Sequence, residues 1–127
     1  MTRRTSIYVE GFSHKNPIPA ACRIGSMLCS GSIQGTDPAT GRYGETLEAQ
    51  CELMFAHMRR IVAASGGTPE DVIKVTVYMR DRTLRAAVNK PWLEMFPDPQ
   101  SRPARHTTNA MLEGEKLVEC DFMAVLG

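Results

Sequence analysis

Residues 46–79 read TLEAQCELMFAHMRRIVAASGGTPEDVIKVTVYM. Leu47, Cys51, Met54, Phe55, Met58, Ile61 and Val62 fall at i, i+4, i+7, i+8, i+11, i+14 and i+15. That is one apolar stripe at helical period, and it predicts a helix over 46–65. Glu45 and Glu48 at its start and Arg59 and Arg60 near its end suit the helix dipole. Gly66-Gly67 stops it. Cys51, Met54 and Met58 read as core packing rather than a soft-metal site, and His57, outside the stripe, is expected to be solvated. Thr68 then offers an N-cap with Pro69 at the first position of a short helical turn. Residues 72–79 are β-branched and read as a buried strand.

Working outward, 6–10 is a short strand candidate, and 11–19 is a loop broken by Gly11, Pro17 and Pro19. Residues 20–30 read as a strand bent at Gly25, with one more short strand near 32–34. Asp37-Pro38-Ala39-Thr40-Gly41 has turn chemistry. A second helix is expected over 82–95, interrupted at Pro91, with Asn89 able to cap a restarted turn. Strands over 104–112 and 117–126 follow, separated by a turn at Glu113-Gly114-Glu115. Two helices on one face of a mixed sheet make an α+β architecture.

The chain has 127 residues, 43% hydrophobic and 23% charged, an ordinary globular balance. Two cores would leave about 60 residues each, so one domain over 1–127 is expected. A net charge of +1 argues against a strongly electrostatic nucleic-acid binder. No apolar run approaches a membrane span. Arg3 and Arg4 have no apolar segment behind them, so the start is not a secretory signal and the cytosol is the default compartment. Cys22, Cys29, Cys51 and Cys120 show no C-x-x-C spacing, and His14, His57 and His106 form no H-x-x-x-H pair, so no metal site is expected.

Two features carry chemistry. In Ser101-Arg102-Pro103-Ala104-Arg105-His106-Thr107-Thr108 a proline-rich loop delivers Arg105 to the start of a strand. There its planar fork suits bidentate recognition of a carboxylate, although a solvated surface arginine fits the spacing as well. His106, its neighbour on a strand, must face the other way. On the last strand Glu119 and Asp121 share one face and Val118, Cys120 and Phe122 the other. One of the carboxylates could orient a water or act as a general acid/base, or both could line a solvent-facing stripe.

Cys29-Ser30-Gly31-Ser32-Ile33, Asp37-Pro38-Ala39-Thr40-Gly41, the long first helix, residues 66–74, Val88-Asn89 and Pro103-Ala104-Arg105 together resemble the Rid family, the reactive-intermediate deaminases also called the YjgF/YER/UK family. The resemblance covers residues 17–125. It implies a chorismate-mutase-like α+β fold and a homotrimer with three clefts between subunits. It also implies hydrolysis of enamines and imines such as 2-aminoacrylate to 2-keto acids and ammonia, without metal or organic cofactor. By the same resemblance Arg105 matches the arginine that binds the substrate carboxylate. Thr107 lies where a backbone carbonyl and amide face substrate, Ser30 and Gly31 line the cleft, and Asn89 lies near it. Asp121 falls where many members carry a glutamate that positions water, and it is one methylene, about 1.5 Å, shorter. Ile18 stands where the best-known deaminases carry a tyrosine. Three other readings stay open: a non-enzymatic trimeric protein that binds small carboxylates, a specialised catabolic deaminase of the aminomuconate type, and, least favoured by the near-neutral charge, an endoribonuclease.

Overall fold

The computed structural model describes residues 3–127. The helical stripe forms α1, Leu47–Ala64. Thr46 caps it, its Oγ1 accepting from the Ala49 N–H at 3.1 Å and so satisfying one of the unpaired donors of the first turn. At the other end Gly66 takes a φ of +88°. The Gly66 and Gly67 amides bond back to the carbonyls of Ala63 and Val62, which closes the last turn.

Among the described residues seven strands form one sheet: β1 Thr5–Ile7, β2 Ala21–Ile24, β3 Met27–Ser30, β4 Ile33–Gln34, β5 Val72–Met79, β6 Ala104–Asn109 and β7 Val118–Val125. Their order is β1-β2-β3-β7-β5-β6, with β4 also paired to β7. Only β6 runs parallel to its partner β5; the other pairs are antiparallel. The parallel pair needs a crossover, and α2, Ala86–Met95, supplies it. Both helices cover one face. Val75, Val77 and Met79 of β5 and Val118, Cys120, Phe122 and Ala124 of β7 meet Met54, Met58, Ile61 and Val62 of α1 in the core.

Four expectations need correction. Residues 20–30 are not one bent strand. They are a hairpin, Ile24 pairing with Met27 across a turn that Gly25 opens at a φ of +57°, where a side chain would be strained. The last part of 104–112 leaves the sheet after Asn109. Residues 82–95 split into a 3-10 turn, Arg82–Leu84, and α2. That helix runs through Pro91 without a restart, so Asn89 caps nothing. His57 is buried, not solvated. Its Nε2 donates to the Thr36 carbonyl at 2.6 Å and its ring lies 4.7 Å from that of Phe12. The loop before β2 and the segment after β4 fold over that side of α1, a long-range event invisible to helical periodicity.

Gly35 sets how closely β4 approaches α1. A Cβ there would fall 2.1 Å from the Gln50 carbonyl oxygen, and backbone cannot yield that far. Gly35→Ala is expected to cost about 3 kcal/mol, at the upper end of overpacking. Urea denaturation reads it, and an unchanged midpoint would show that the two elements can separate freely.

Candidate functional site

Arg105 lies on β6, an edge strand, opposite Val75. It therefore faces the helical side of the sheet, and α2 packs over it. Its Nη2 donates to Asn89 Oδ1 at 2.9 Å, and its guanidinium carbon sits 5.0 Å from the centre of the Trp92 ring. Asn89 and Trp92 are three residues apart and so share a helix face. One holds the guanidinium edge, the other its plane, and the fork is fixed before any ligand arrives. Among the described residues no carboxylate lies within ion-pair distance of Arg105. Burial first, then the charge of Arg85, pulls its pKa below the usual arginine value.

Thr107 follows on the same face of β6, and its Oγ1 is buried without a hydrogen-bond partner. His106 points to the opposite face and is exposed, as strand alternation requires.

Asp121 lies on the other side of the sheet. It pairs with Thr76 of β5, and the Tyr78 hydroxyl donates to its Oδ2 at 3.2 Å. Burial, then Asp121, raises the Tyr78 pKa, so the phenol keeps its proton. Glu119, two residues earlier, meets Lys116 at 3.8 Å.

Ser30 and Gly31 stand beside Asp121 for a structural reason. The β3 ladder with β7 ends at Cys29–Met123 and the β4 ladder begins at Ile33–Cys120. In the gap, Ser30 Oγ accepts from the Phe122 amide at 2.9 Å and donates to the Gly31 carbonyl at 2.8 Å. The glycine faces the loop before β2, where a Cβ would meet His14 Nε2 at 3.8 Å. That nitrogen is buried and unpartnered. Ile18 projects from the same loop and is exposed.

The expected residues thus form two groups. Arg105, Asn89 and Thr107 gather under α2. Asp121, Ser30 and Gly31 gather at the break between β3 and β4, with Ile18 on the adjoining loop. Val75 pairs with both Arg105 and Phe122, so the backbones at Arg105 and next to Asp121 are two strand spacings apart, roughly 10 Å, and the two side chains leave on opposite faces. One chain does not bring them together. Trp92 and Tyr78, which fix the two groups, were missed by sequence reasoning. Trp92 was legible as the i+3 neighbour of Asn89, and Tyr78 as the strand-alternation partner of Thr76. Among the described residues no three His, Cys, Asp or Glu side chains converge to hold a metal ion, and no helix is long and apolar enough to cross a membrane.

Two helices over one face of a mixed sheet define an α+β class that known proteins share. The family model described as Endoribonuclease L-PSP matches residues 15–126. A Salmonella typhimurium protein named 2-iminobutanoate/2-iminopropanoate deaminase is 30% identical over 104 residues, 80% of this chain and 81% of that protein. The chloroplastic Reactive Intermediate Deaminase A of Arabidopsis thaliana is 30% identical over 112 residues, 87% of this chain and 59% of that protein's length. Among solved structures, the YjgF gene product of E. coli superposes with a TM-score of 0.86 at 24% identity, covering 95% of this chain and 98% of that one. The chain belongs to the Rid family, also called the YjgF or L-PSP family.

Proposed function

We propose that this chain is a hydrolytic deaminase of reactive enamines and imines, converting 2-aminoacrylate and 2-imino acids to 2-keto acids and ammonia. The observation that carries the reading is Arg105, a guanidinium held by Asn89 and Trp92 with no carboxylate of the described chain in ion-pair reach. Such a fork suits a ligand's carboxylate. The deaminase names of the Salmonella and Arabidopsis relatives support the same reaction.

The protein acts as a homotrimer whose sites lie between copies. Ile24, Met27, Met123 and Val125 are 39%, 44%, 38% and 44% exposed and lie together on the helix-free face of the sheet. An apolar sheet face of this kind calls for cover. A neighbouring copy that covers it can also bring its Arg105 towards this chain's Asp121. Each chain works as a single Rid-like domain, a reading supported by its one sheet and one core. The four cysteines are free, which fits a reducing compartment such as the cytosol. Light scattering is expected to give about three times the chain mass of 14.0 kDa; a particle of one chain mass at micromolar concentration refutes the shared site.

In the reaction an enamine first takes a proton at its terminal carbon and becomes the imine. Arg105 clamps the carboxylate beside the imine carbon. Asp121 of the adjoining copy, held by Tyr78, orients a water and accepts its proton. The water oxygen bonds to the imine carbon while the C=N π pair moves to nitrogen. Asp121 then returns that proton to the amine nitrogen and takes the carbinolamine hydroxyl proton, while the C–N bond breaks with its electron pair leaving on ammonia and the O–H pair closing the C=O of the 2-keto acid. Nothing is oxidised or reduced, and no cofactor is called for. Thr107 and Gly31 backbone groups face the departing nitrogen. Ser30 shapes the pocket wall, and Ile18, lacking a tyrosine hydroxyl, presents an apolar surface to the substrate side chain.

The test generates imino acids in situ with an amino-acid oxidase and traps what remains with semicarbazide. Wild-type protein should suppress the semicarbazone. Tight binding of 2-keto acids without suppression would leave the non-enzymatic carboxylate-binding reading, which Arg105 serves equally well.

A further inference from the structure

The loop before β2 brings a nitrogen to the break between β3 and β4. His14 Nε2 lies 3.8 Å from where a Cβ on Gly31 would stand, and the Pro19 and Ala20 carbonyl oxygens lie 3.7 and 3.9 Å from the same point. A Cβ would occupy the space these three atoms bound, and glycine leaves it open. The ring is fixed from behind. It meets Phe12 edge-on at 5.3 Å, the buried Phe12 packs on His57 at 4.7 Å, and His57 is tied to the Thr36 carbonyl.

His14 Nε2 is buried with no hydrogen-bond partner, although the ring as a whole is part-exposed. An unpaired buried nitrogen is costly. A phenylalanine would fill the same space and stack on Phe12 without that cost, so packing alone does not account for a histidine. Burial first, then Lys116, lowers the His14 pKa, while Glu119 pulls the other way. Lys116 and Glu119 are themselves paired at 3.8 Å. The titratable groups around the ring also include Asp121, farther along the face of β7 that carries Glu119, and His57 across Phe12. The ring is therefore neutral at neutral pH, and with its proton on Nδ1 the buried Nε2 is an acceptor. A ring nitrogen and two carbonyls around one open space call for an N–H donor.

We infer that His14 Nε2 accepts an N–H of the substrate's protonated imine nitrogen, beside the Pro19 and Ala20 carbonyls, and is a catalytic residue of the deaminase reaction. The inference rests on the proposed function, which brings the departing nitrogen to Gly31. An enamine that takes a proton at carbon emerges as an iminium, with two N–H groups and a positive charge. Acceptors around that nitrogen keep it protonated, and a protonated nitrogen draws electron density from the carbon that water attacks. The contact persists as the nitrogen becomes an amine and then ammonia, since each form has an N–H to donate. No proton passes to His14, so its part is lost only when the ring itself is protonated.

The experiment is the semicarbazide competition with 2-iminopropanoate, run on intact wild type, His14→Phe and His14→Gln from about pH 7.5 to about pH 5, where histidines titrate. His14→Phe keeps the stack on Phe12 and removes the acceptor. It is expected to lower kcat/KM at neutral pH by about 10- to 100-fold, the worth of one hydrogen bond to a charged group. His14→Gln puts an amide oxygen near the position of Nε2 and should stay within about fivefold of wild type. Wild-type activity should fall as the pH drops through the His14 pKa, below the usual histidine value. The glutamine cannot be protonated there, so the ratio of His14→Gln to wild type should rise towards acid; the ratio cancels the substrate's own ionisation. Thermal melts check that each variant is folded. His14→Phe at the wild-type rate, His14→Gln as slow as His14→Phe, or a ratio constant with pH each overturn the role of His14 and leave the deaminase reading standing. No hydrolysis by wild type overturns that reading, and the inference with it.

Discussion

Arg105→Ala is expected to lower kcat/KM for 2-iminopropanoate hydrolysis by about 100- to 1,000-fold. A partly desolvated, charge-assisted pair loses about 3 to 4 kcal/mol when one partner is removed, and each 1.36 kcal/mol is a factor of ten. Arg105→Lys should recover little of this. The lysine ammonium is a point charge on a flexible stem and cannot offer a fork to a carboxylate while an Asn89 and a Trp92 hold its edge and plane. The fold should survive both changes. Arg105 lies at a sheet edge, half-buried, and the core of Val75, Val77, Phe122 and α1 does not depend on it. Steady-state kinetics on protein with an unchanged circular-dichroism spectrum decides the matter. Hydrolysis by Arg105→Ala at the wild-type rate would show that the carboxylate is bound elsewhere.

The position of Arg105 was legible in the sequence only in part. Pro103 before a β-branched strand marks the edge on which Arg105 lies, and strand alternation correctly sends His106 away from it. What periodicity could not supply was the partner surface. Arg105 meets Asn89 and Trp92 only because the crossover returns β6 parallel to β5, and that pairing joins residues as far apart in the chain as Val75 and Arg105 through a helix. The helix itself was partly misread. Pro91 looks like a break, yet it sits buried in the middle of a ten-residue helix, where losing one hydrogen bond is tolerated when packing holds both sides. The strands show the same division. Residues 72–79 were legible to the residue, since β-branching and burial agree there. The hairpin at Gly25 was not, since a bend and a two-residue turn differ only in pairing. His57 was misplaced because its burial comes from Phe12 and Thr36, outside the helix whose pattern was being read. The facing of Asp121 followed directly from alternation, but its bond to Tyr78 required the register of β5 against β7.

Asp121→Asn is expected to lower kcat by about 100-fold or more with KM little changed, the lower range of what general acid/base help is worth. The amide keeps the shape of the carboxylate and can still accept from Tyr78, so neither the sheet nor the binding of the distant carboxylate should alter. Only the capacity to take a proton from water is lost. Tyr78→Phe should act in the same direction and less strongly, because it removes the donor that holds Oδ2 and leaves the base in place. Asp121→Glu extends the stem by about 1.5 Å and is expected to raise kcat on the small substrate 2-iminopropanoate by carrying the carboxylate further into the cleft. The three variants together separate a base from a strut. A structural Asp121 would make Asn and Glu equally harmful or equally silent, and would show itself in the unfolding midpoint. A base gives opposite signs for Asn and Glu at constant stability. If Asn leaves turnover untouched, the proton must pass to Glu119, which lies on the same face of β7 beside Lys116, or the water must be held by the backbone around Thr107.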